Sequence, residues 1–129
     1  MAPLIYLDTH VVAWLYTGDL GLFPAGVRRW LEEEELLISP MVELELQYLH
    51  EVGRTTVPGA EVVAALAAEI GLSRCDLPFE QVIAEAIRTS WTRDPFDRII
   101  VAQAALRRRP LLTKDDSIRE HYGEAVWVD

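Results

Sequence analysis

The chain has 129 residues, half of them apolar, with a formal net charge of −9 and a pI near 4.7. This length suits one domain, spanning residues 1–129, around one hydrophobic core. The negative charge argues against binding to nucleic acid or to an anionic membrane by simple electrostatic attraction. It is compatible with a cluster of carboxylates that a divalent cation neutralises.

The cysteine content and the apolar runs indicate where the protein resides. Cys75 is the single cysteine, so no disulfide can form within the chain, as is typical of proteins in a reducing cytosol. The first residues lack a signal-peptide pattern, and no apolar run approaches the roughly 18–20 residues of a membrane span. We therefore expect a cytoplasmic protein that does not associate with a membrane.

The first part of the chain alternates short apolar runs with helical patterns. Leu4–Leu7 predicts a buried strand that ends directly at an acid, Asp8. Helices are predicted over His10–Tyr16 and Pro24–Glu35, and Leu36–Ile38 is the next strand candidate. An acid at the end of a buried strand is unusual, because Asp is a poor strand former and is rarely buried unless paired.

The second part continues the alternation. Its predicted elements are a helix capped by Ser39 with Pro40 at its first position, a helix over Glu61–Ile70, a weak strand near Leu72–Leu77, a helix over Phe79–Thr89, a helix from Asp94–Pro95 to about Arg108, a strand at Leu111–Leu112, a helix over about Asp115–His121 and a strand at Ala125–Val128. Strands that alternate with helices predict an α/β fold with three layers, α/β/α, around a mostly parallel sheet. In such folds, ligands bind beyond the carboxyl ends of the strands.

Four acids lie at positions that this topology can bring to that edge. Asp8 and Asp115 follow strands, Glu43 lies one turn into the helix after the second strand, and Asp97 opens an apolar helix. Each acid taken alone has a structural explanation, as a helix cap or a surface residue. Taken together, four carboxylates at one edge would repel each other unless protons or cations neutralised them.

The chemistry of such a cluster points to a hard divalent cation. Carboxylate oxygens suit Mg²⁺ or Mn²⁺, and the sequence has no Cys–His spacing typical of zinc. A carboxylate-held Mg²⁺ polarises a phosphodiester and activates water. The hypothesis from the residues alone is therefore metal-assisted phosphodiester hydrolysis.

Four segments, LDTHVVAWL, SPMVELELQYL, RDPFDRIIVAQA and LLTKDDSI, resemble in order and spacing the PIN-domain ribonucleases, and more narrowly the VapC toxins of toxin–antitoxin pairs. The resemblance covers almost the whole chain. It implies a PIN-like α/β/α sandwich and Mg²⁺- or Mn²⁺-dependent endoribonuclease activity. It also implies a homodimer and inhibition by a small cognate antitoxin of the VapB type.

The resemblance also implies roles for individual residues. Asp8, Glu43, Asp97 and Asp115 match the four catalytic acids, with Asp8 and Asp97 expected to bind the metal directly. Glu43 and Asp115 would bind through water or accept a proton from the attacking water. The accessory positions are Asp94, Asp116, Thr9 and Thr113; Asp94 competes with Asp97, and Asp116 with Asp115.

Two binding surfaces are predicted around these acids. Arg93, Arg98 and Lys114 flank them and are candidates for contacts with RNA phosphates. The antitoxin is expected to bind near Val11–Phe23, which offers the apolar side chains of Trp14, Leu20, Leu22 and Phe23.

Two other functions use a similar arrangement of acids. A phosphoacceptor domain of the receiver or phosphatase type would expect an acid pair or an Asp-x-Asp nucleophile at the first strand, whereas LDTH offers one acid. A PIN-like module that only binds RNA or protein would not need all four acids. Metal-dependent RNA cleavage that is lost in Asp8→Asn separates these alternatives from a nuclease.

Overall fold

A computed structural model describes residues 3–129. The strands are β1 (Leu4–Leu7), β2 (Glu35–Ile38), β3 (Ser73–Arg74), β4 (Leu111–Leu112) and β5 (Ala125–Val126). The helices are α1 (Thr9–Thr17), α2 (Ala25–Glu33), α3 (Pro40–Glu51), α4 (Gly59–Ile70), α5 (Phe79–Arg88), α6 (Pro95–Arg107) and α7 (Asp116–His121), with a 3₁₀ turn at Leu20–Leu22. Within this part of the chain, no helix combines the length and the apolar character needed to cross a membrane.

The five strands form one parallel sheet in the order β3-β2-β1-β4-β5. The chain builds outward from β1 to β2 and β3, then returns to the other side of β1 for β4 and β5. The strand order therefore reverses between β1 and β4, and the crevice at such a point is where ligands bind in open α/β sheets. The backbone N–H of Asp8 donates to the Leu112 carbonyl at 3.1 Å, so the carboxyl ends of β1 and β4 are adjacent.

The burial of β1 shows that both faces of the sheet are covered. Ile5, Tyr6 and Leu7 are consecutive, so their side chains point to alternate faces, yet each is at most 1% exposed. A run that is apolar on both faces is typical of a parallel strand between two helical layers. The predicted three-layer α/β/α fold is confirmed.

Two predicted helix starts are also confirmed by their hydrogen bonds. The Ser39 hydroxyl accepts from the Met41 N–H at 3.1 Å, and Pro40 is the first residue of α3. The Asp94 carboxylate accepts from the Phe96 N–H at 2.8 Å, and Pro95 is the first residue of α6. Both helices begin as expected, because a side-chain acceptor satisfies a free N–H and proline needs none.

The weak strand predicted near Leu72–Leu77 is confined to Ser73–Arg74, and the last strand stops at Val126 instead of Val128. The last strand is short because Trp127 leaves the sheet and packs against Trp14 and Phe23, with ring centroids 6.2 Å from each.

This aromatic packing corrects the prediction for the antitoxin segment. Phe23 is 1% exposed and belongs to the core, so it is not available to a partner. Leu20 and Leu22 remain exposed.

Candidate active site

Asp8 lies at the carboxyl end of β1, where it is 4% exposed and caps α1. Its Oδ1 accepts from the Thr9 N–H at 2.8 Å, and its Oδ2 accepts from the Thr113 hydroxyl at 2.7 Å. The two hydrogen bonds come from the first turn of α1 and from the residue after β4. They fix the plane of the carboxylate at the point where the strand order reverses.

The loop after β4 is tied to Asp8 through the same threonine. The Thr113 oxygen accepts from the Asp115 N–H at 3.0 Å while its hydroxyl donates to Asp8. Asp115 in turn caps α7, because its Oδ1 accepts from the Ile118 N–H at 3.0 Å. One side chain therefore connects the acid of β1 to the acid that follows β4.

Asp116 points away from this connection. Its Oδ1 lies 3.7 Å from Nη1 of Arg119, one turn further along α7, and its side chain is almost fully exposed. Of the two adjacent acids, the structure brings only Asp115 into hydrogen-bonded contact with the Thr113–Asp8 pair.

The acid that α3 contributes is Glu45, where the sequence had indicated Glu43. The Glu43 carboxylate accepts from Nε of Arg74 at 2.6 Å and so lies toward β3, near an edge of the sheet. Glu45 Oε1 accepts instead from the hydroxyl of Thr9, the residue next to Asp8. Residues two apart on a helix differ in direction by about 200°, so only one of the two can face this site.

No local signal in the sequence distinguishes Glu45 from Glu43. Val42 and Leu46 are buried and define the inner face of α3. Glu43 follows Val42 by one residue and Glu45 precedes Leu46 by one, so the two glutamates lie on opposite sides of that face, at equal angles from its centre.

α6 contributes two acids at its first turn. Asp94 is the N-cap, and Asp97 follows within the first turn. The pKa of Asp97 is raised to about 7, first by burial and then by four neighbouring carboxylates. In order of effect, these belong to Asp94, Asp8, Asp115 and Glu45. The acids of β1, α3 and the β4–α7 loop therefore all lie close enough to Asp97 of α6 for their charges to act on it.

Glu45 shows the same mutual repulsion. Burial raises its pKa, the hydrogen bond from Thr9 lowers it, and the charges of Asp8 and Asp94 raise it again. A site in which neighbouring carboxylates raise the pKa of Asp97 and Glu45 favours a bound cation, because the cation restores the charged form.

The donor set fits Mg²⁺ or Mn²⁺ better than any softer metal, since every candidate ligand is a carboxylate oxygen. Within residues 3–129, no three Asp, Glu, His or Cys side chains converge as a ready-made metal cage. Mg²⁺ does not require such a cage, because it is commonly held by one or two carboxylates and keeps several waters.

The predicted cationic residues divide into two groups. Arg93 donates to the Ser90 carbonyl at 2.7 Å, and Arg98 donates through Nε to the Thr92 carbonyl at 2.8 Å. Both guanidinium groups therefore stabilise the loop that precedes Asp94. Lys114 is exposed next to Asp115, where a phosphate can approach it.

Comparison with known proteins is consistent with this geometry. The chain matches the PIN domain family over residues 5–124. It is 29% identical to Ribonuclease VapC22 of Mycobacterium tuberculosis over 122 residues, which cover 91% of each chain.

Solved structures share the fold at low sequence identity. A toxin–antitoxin complex from Klebsiella pneumoniae superimposes with a TM-score of 0.65 at 17% identity, covering 95% of this chain and 96% of that one. VapBC2 from Rickettsia felis, bound to a fragment of promoter DNA, superimposes with a TM-score of 0.57 at 15% identity, covering 91% of this chain and 92% of that one.

Proposed function

This chain belongs to the PIN-domain family, and we propose that it is a metal-dependent endoribonuclease of the VapC type, the toxin of a type II toxin–antitoxin pair. One observation carries the proposal. Acids from β1, α3 and the β4–α7 loop are connected through Thr9 and Thr113 at the point where the strand order reverses, and their charges act on Asp97 of α6. Its similarity to Ribonuclease VapC22 supports RNA as the substrate.

We assign direct metal binding to Asp8 and Asp97. When bound, Mg²⁺ or Mn²⁺ would polarise the scissile phosphodiester and lower the pKa of a water molecule. Asp8 is held for this role by hydrogen bonds to both of its oxygens.

Glu45 and Asp115 flank the two proposed ligands and have the geometry to orient water. Asp115 Oδ1 is used in capping α7, which leaves Oδ2 as its acceptor for a water proton. Glu45 accepts from Thr9 through Oε1 and can use Oε2 in the same way. Either carboxylate, positioned within hydrogen-bond reach of the water, supplies general-base assistance.

The proposal is tested by RNA cleavage with purified protein. We expect cleavage in Mg²⁺ or Mn²⁺, none in EDTA, and a loss of at least about 100-fold in Asp8→Asn, since this change removes the negative charge and one oxygen of a proposed ligand. Asp116→Asn is the matched control, because its carboxylate faces Arg119 and solvent, and it should cleave at the wild-type rate. Cleavage that persists in EDTA would contradict the proposal.

For the antitoxin, we propose binding to the apolar surface around α1. A cavity of about 250 Å³ lies between α1, α3 and α4; it is lined by Ala13, Tyr16, Thr17, Leu46, Arg54, Thr55, Thr56, Val57 and Val62. An apolar helix or strand of a VapB-like protein fits such a surface. The net charge of −9 favours an antitoxin that reaches the acidic site with a basic side chain.

For the homodimer, we propose contact through the outer faces of α3 and α5. Leu44, Phe79 and Ile87 are 55%, 71% and 68% exposed. Leu44 and Phe79 also line a cavity of about 350 Å³ between α3, α5 and α6. Large apolar side chains exposed together mark an interaction surface, and a second copy of the chain presents the same apolar face.

A further inference from the structure

His10 makes a contact with the active-site loop that the proposed chemistry does not use. It is the second residue of α1, two positions after Asp8. Its Nε2 accepts from the backbone N–H of Lys114 at 2.9 Å, across 104 residues of sequence. Its Nδ1 lies 3.6 Å from Asp8 Oδ2, which is too long for a hydrogen bond.

The hydrogen bond to Lys114 defines the state of the ring. A nitrogen that accepts a hydrogen bond carries no proton, so the ring is neutral and its proton is on Nδ1, facing Asp8. The imidazole therefore presents an acceptor to the β4–α7 loop and an N–H to the carboxylate at the end of β1.

The ring is held in this orientation by aromatic packing. It lies edge-on to Trp14, with centroids 5.0 Å apart, and 6.4 Å from Trp127. These neighbours come from α1 and from the segment after β5. The acceptor for Lys114 is thus supported from two sides and has little freedom to rotate.

His10 and Thr113 together bind two consecutive backbone N–H groups. His10 accepts from Lys114, and Thr113 accepts from Asp115. A single bond would leave the loop free to pivot about it, whereas two adjacent bonds define its orientation. We propose that His10 is a positioning residue, which holds the Lys114 backbone and thereby keeps the adjacent Asp115 beside the Thr113–Asp8 pair. The inference rests on the proposed function for its catalytic consequence, but the loop contact is independent of that function.

The experiment compares three variants. His10→Phe keeps an aromatic ring between the tryptophans but has no acceptor, and His10→Gln restores an acceptor at similar reach. His50→Phe is the control, because His50 also contacts a loop, through Nδ1 and the Thr55 carbonyl at 3.2 Å, but lies at the far end of α3. Melting temperatures establish that each variant is folded.

Two measurements are made on each variant. The first is amide hydrogen exchange at Lys114 in metal-free protein, which we expect to be faster by about tenfold or more in His10→Phe. The second is Mn²⁺ affinity by calorimetry together with RNA cleavage. We expect His10→Phe to lose about 10- to 100-fold in affinity or kcat, as is typical when support for a metal ligand is removed, at unchanged KM. His10→Gln should recover most of each loss, and His50→Phe should match wild type.

The outcomes distinguish a failure of the inference about His10 from a failure of the proposed function. Wild-type exchange at Lys114 in His10→Phe, or equal losses in His10→Phe and His10→Gln, would overturn the inference. If the wild-type chain neither binds Mn²⁺ nor cleaves RNA, the proposed function fails, and exchange at Lys114 still decides whether His10 holds the loop. If His10→Phe does not fold, His10→Asn, whose amide is too short to reach Lys114, replaces it against His10→Gln.

Discussion

Glu43 and Glu45 are chemically identical and two residues apart, yet they make different contacts. Glu43 forms an ion pair with Arg74, and Glu45 accepts a hydrogen bond beside Asp8. Their different roles follow from the rotation of α3 about its axis, which the burial of Val42 and Leu46 fixes. Local sequence gives two glutamates in the same helix and does not give that rotation.

The pair therefore provides a matched test of the site. We expect Glu45→Gln to lower kcat for RNA cleavage by about 100-fold or more, because the amide can still accept from Thr9 but cannot accept a proton. Glu43→Gln should keep kcat within about twofold of wild type. It should lower the free energy of unfolding by at most about 1 kcal/mol, as for other exposed ion pairs. The reverse pattern, with Glu43→Gln inactive, would restore the assignment made from sequence.

Asp97 gives the site a dependence on pH. Its pKa rises from 3.8 to about 7 on folding, so the folded state binds the proton more tightly than the unfolded state does. The contribution of Asp97 to the stability of the metal-free protein should therefore fall as pH rises from about 4 to about 7. Bound Mg²⁺ or Mn²⁺ should offset this loss, because it favours the charged carboxylate.

Asp97→Asn should remove this dependence of stability on pH. In EDTA at pH 8, we expect this variant to be more stable than wild type by about 1 kcal/mol, allowing for solvent screening of a half-buried group. The difference should vanish near pH 4, and Mn²⁺ should raise the melting temperature of wild type more than that of the variant. Asp116→Asn, measured alongside, should keep the wild-type dependence of stability on pH. An equal change in that variant would show that the effect comes from overall surface charge and is not specific to Asp97.

Among the elements, α3 depends on its contact with α4. A Cβ at Gly59 would lie 2.5 Å from the Glu43 carbonyl oxygen and 2.8 Å from the Gln47 nitrogen. Both are backbone atoms, which cannot move aside as a flexible side chain can. The absence of a side chain at Gly59 therefore allows α4 to begin directly against α3.

We expect Gly59→Ala to lower the free energy of unfolding by about 1–3 kcal/mol, because the added methyl forces the two helices apart. Gly123→Ala is the control, since a Cβ at that position meets nothing within 4 Å. Its free energy of unfolding should lie within about 0.5 kcal/mol of the wild-type value. Urea unfolding of the two variants measures the difference. Equal stabilities would show that α4 can shift without cost.

Elements with a strong local pattern could be predicted, and elements defined by their neighbours could not. β1 is an unbroken apolar run, and α6 begins with an aspartate cap and a proline, so both are readable from sequence. β3 and β5 have two residues each, and their length depends on how far a partner strand extends. In the same way, the sequence indicated Asp8, Asp97 and Asp115 from their places beside elements, but Glu45 required knowledge of how α3 packs.

At the scale of the whole molecule, the exposed apolar face of α3 and α5 determines the proposed assembly. Phe79→Glu combined with Ile87→Glu should convert a dimer to a monomer, because each introduces charge into an apolar contact. Sedimentation velocity measures the change. The control is Val52→Glu, which also replaces an exposed apolar residue but lies at the end of α3 beyond that face. A wild-type chain that sediments as a monomer, or a double variant that remains dimeric, would contradict this interface.

The hydrogen bond from Thr113 to Asp8 joins residues that are 105 positions apart. Synthesis proceeds from the N-terminus, and domains complete their folding as the chain emerges. A nascent chain therefore displays Asp8 and Glu45 well before the loop that binds Asp8 leaves the ribosome, and Asp97 also emerges ahead of that loop. The central strand also lacks its β4 neighbour until that moment. The site is thus completed only after the β4–α7 loop has emerged. Under the proposed function, a chain that is truncated or stalled before Thr113 would be harmless to the RNA around it.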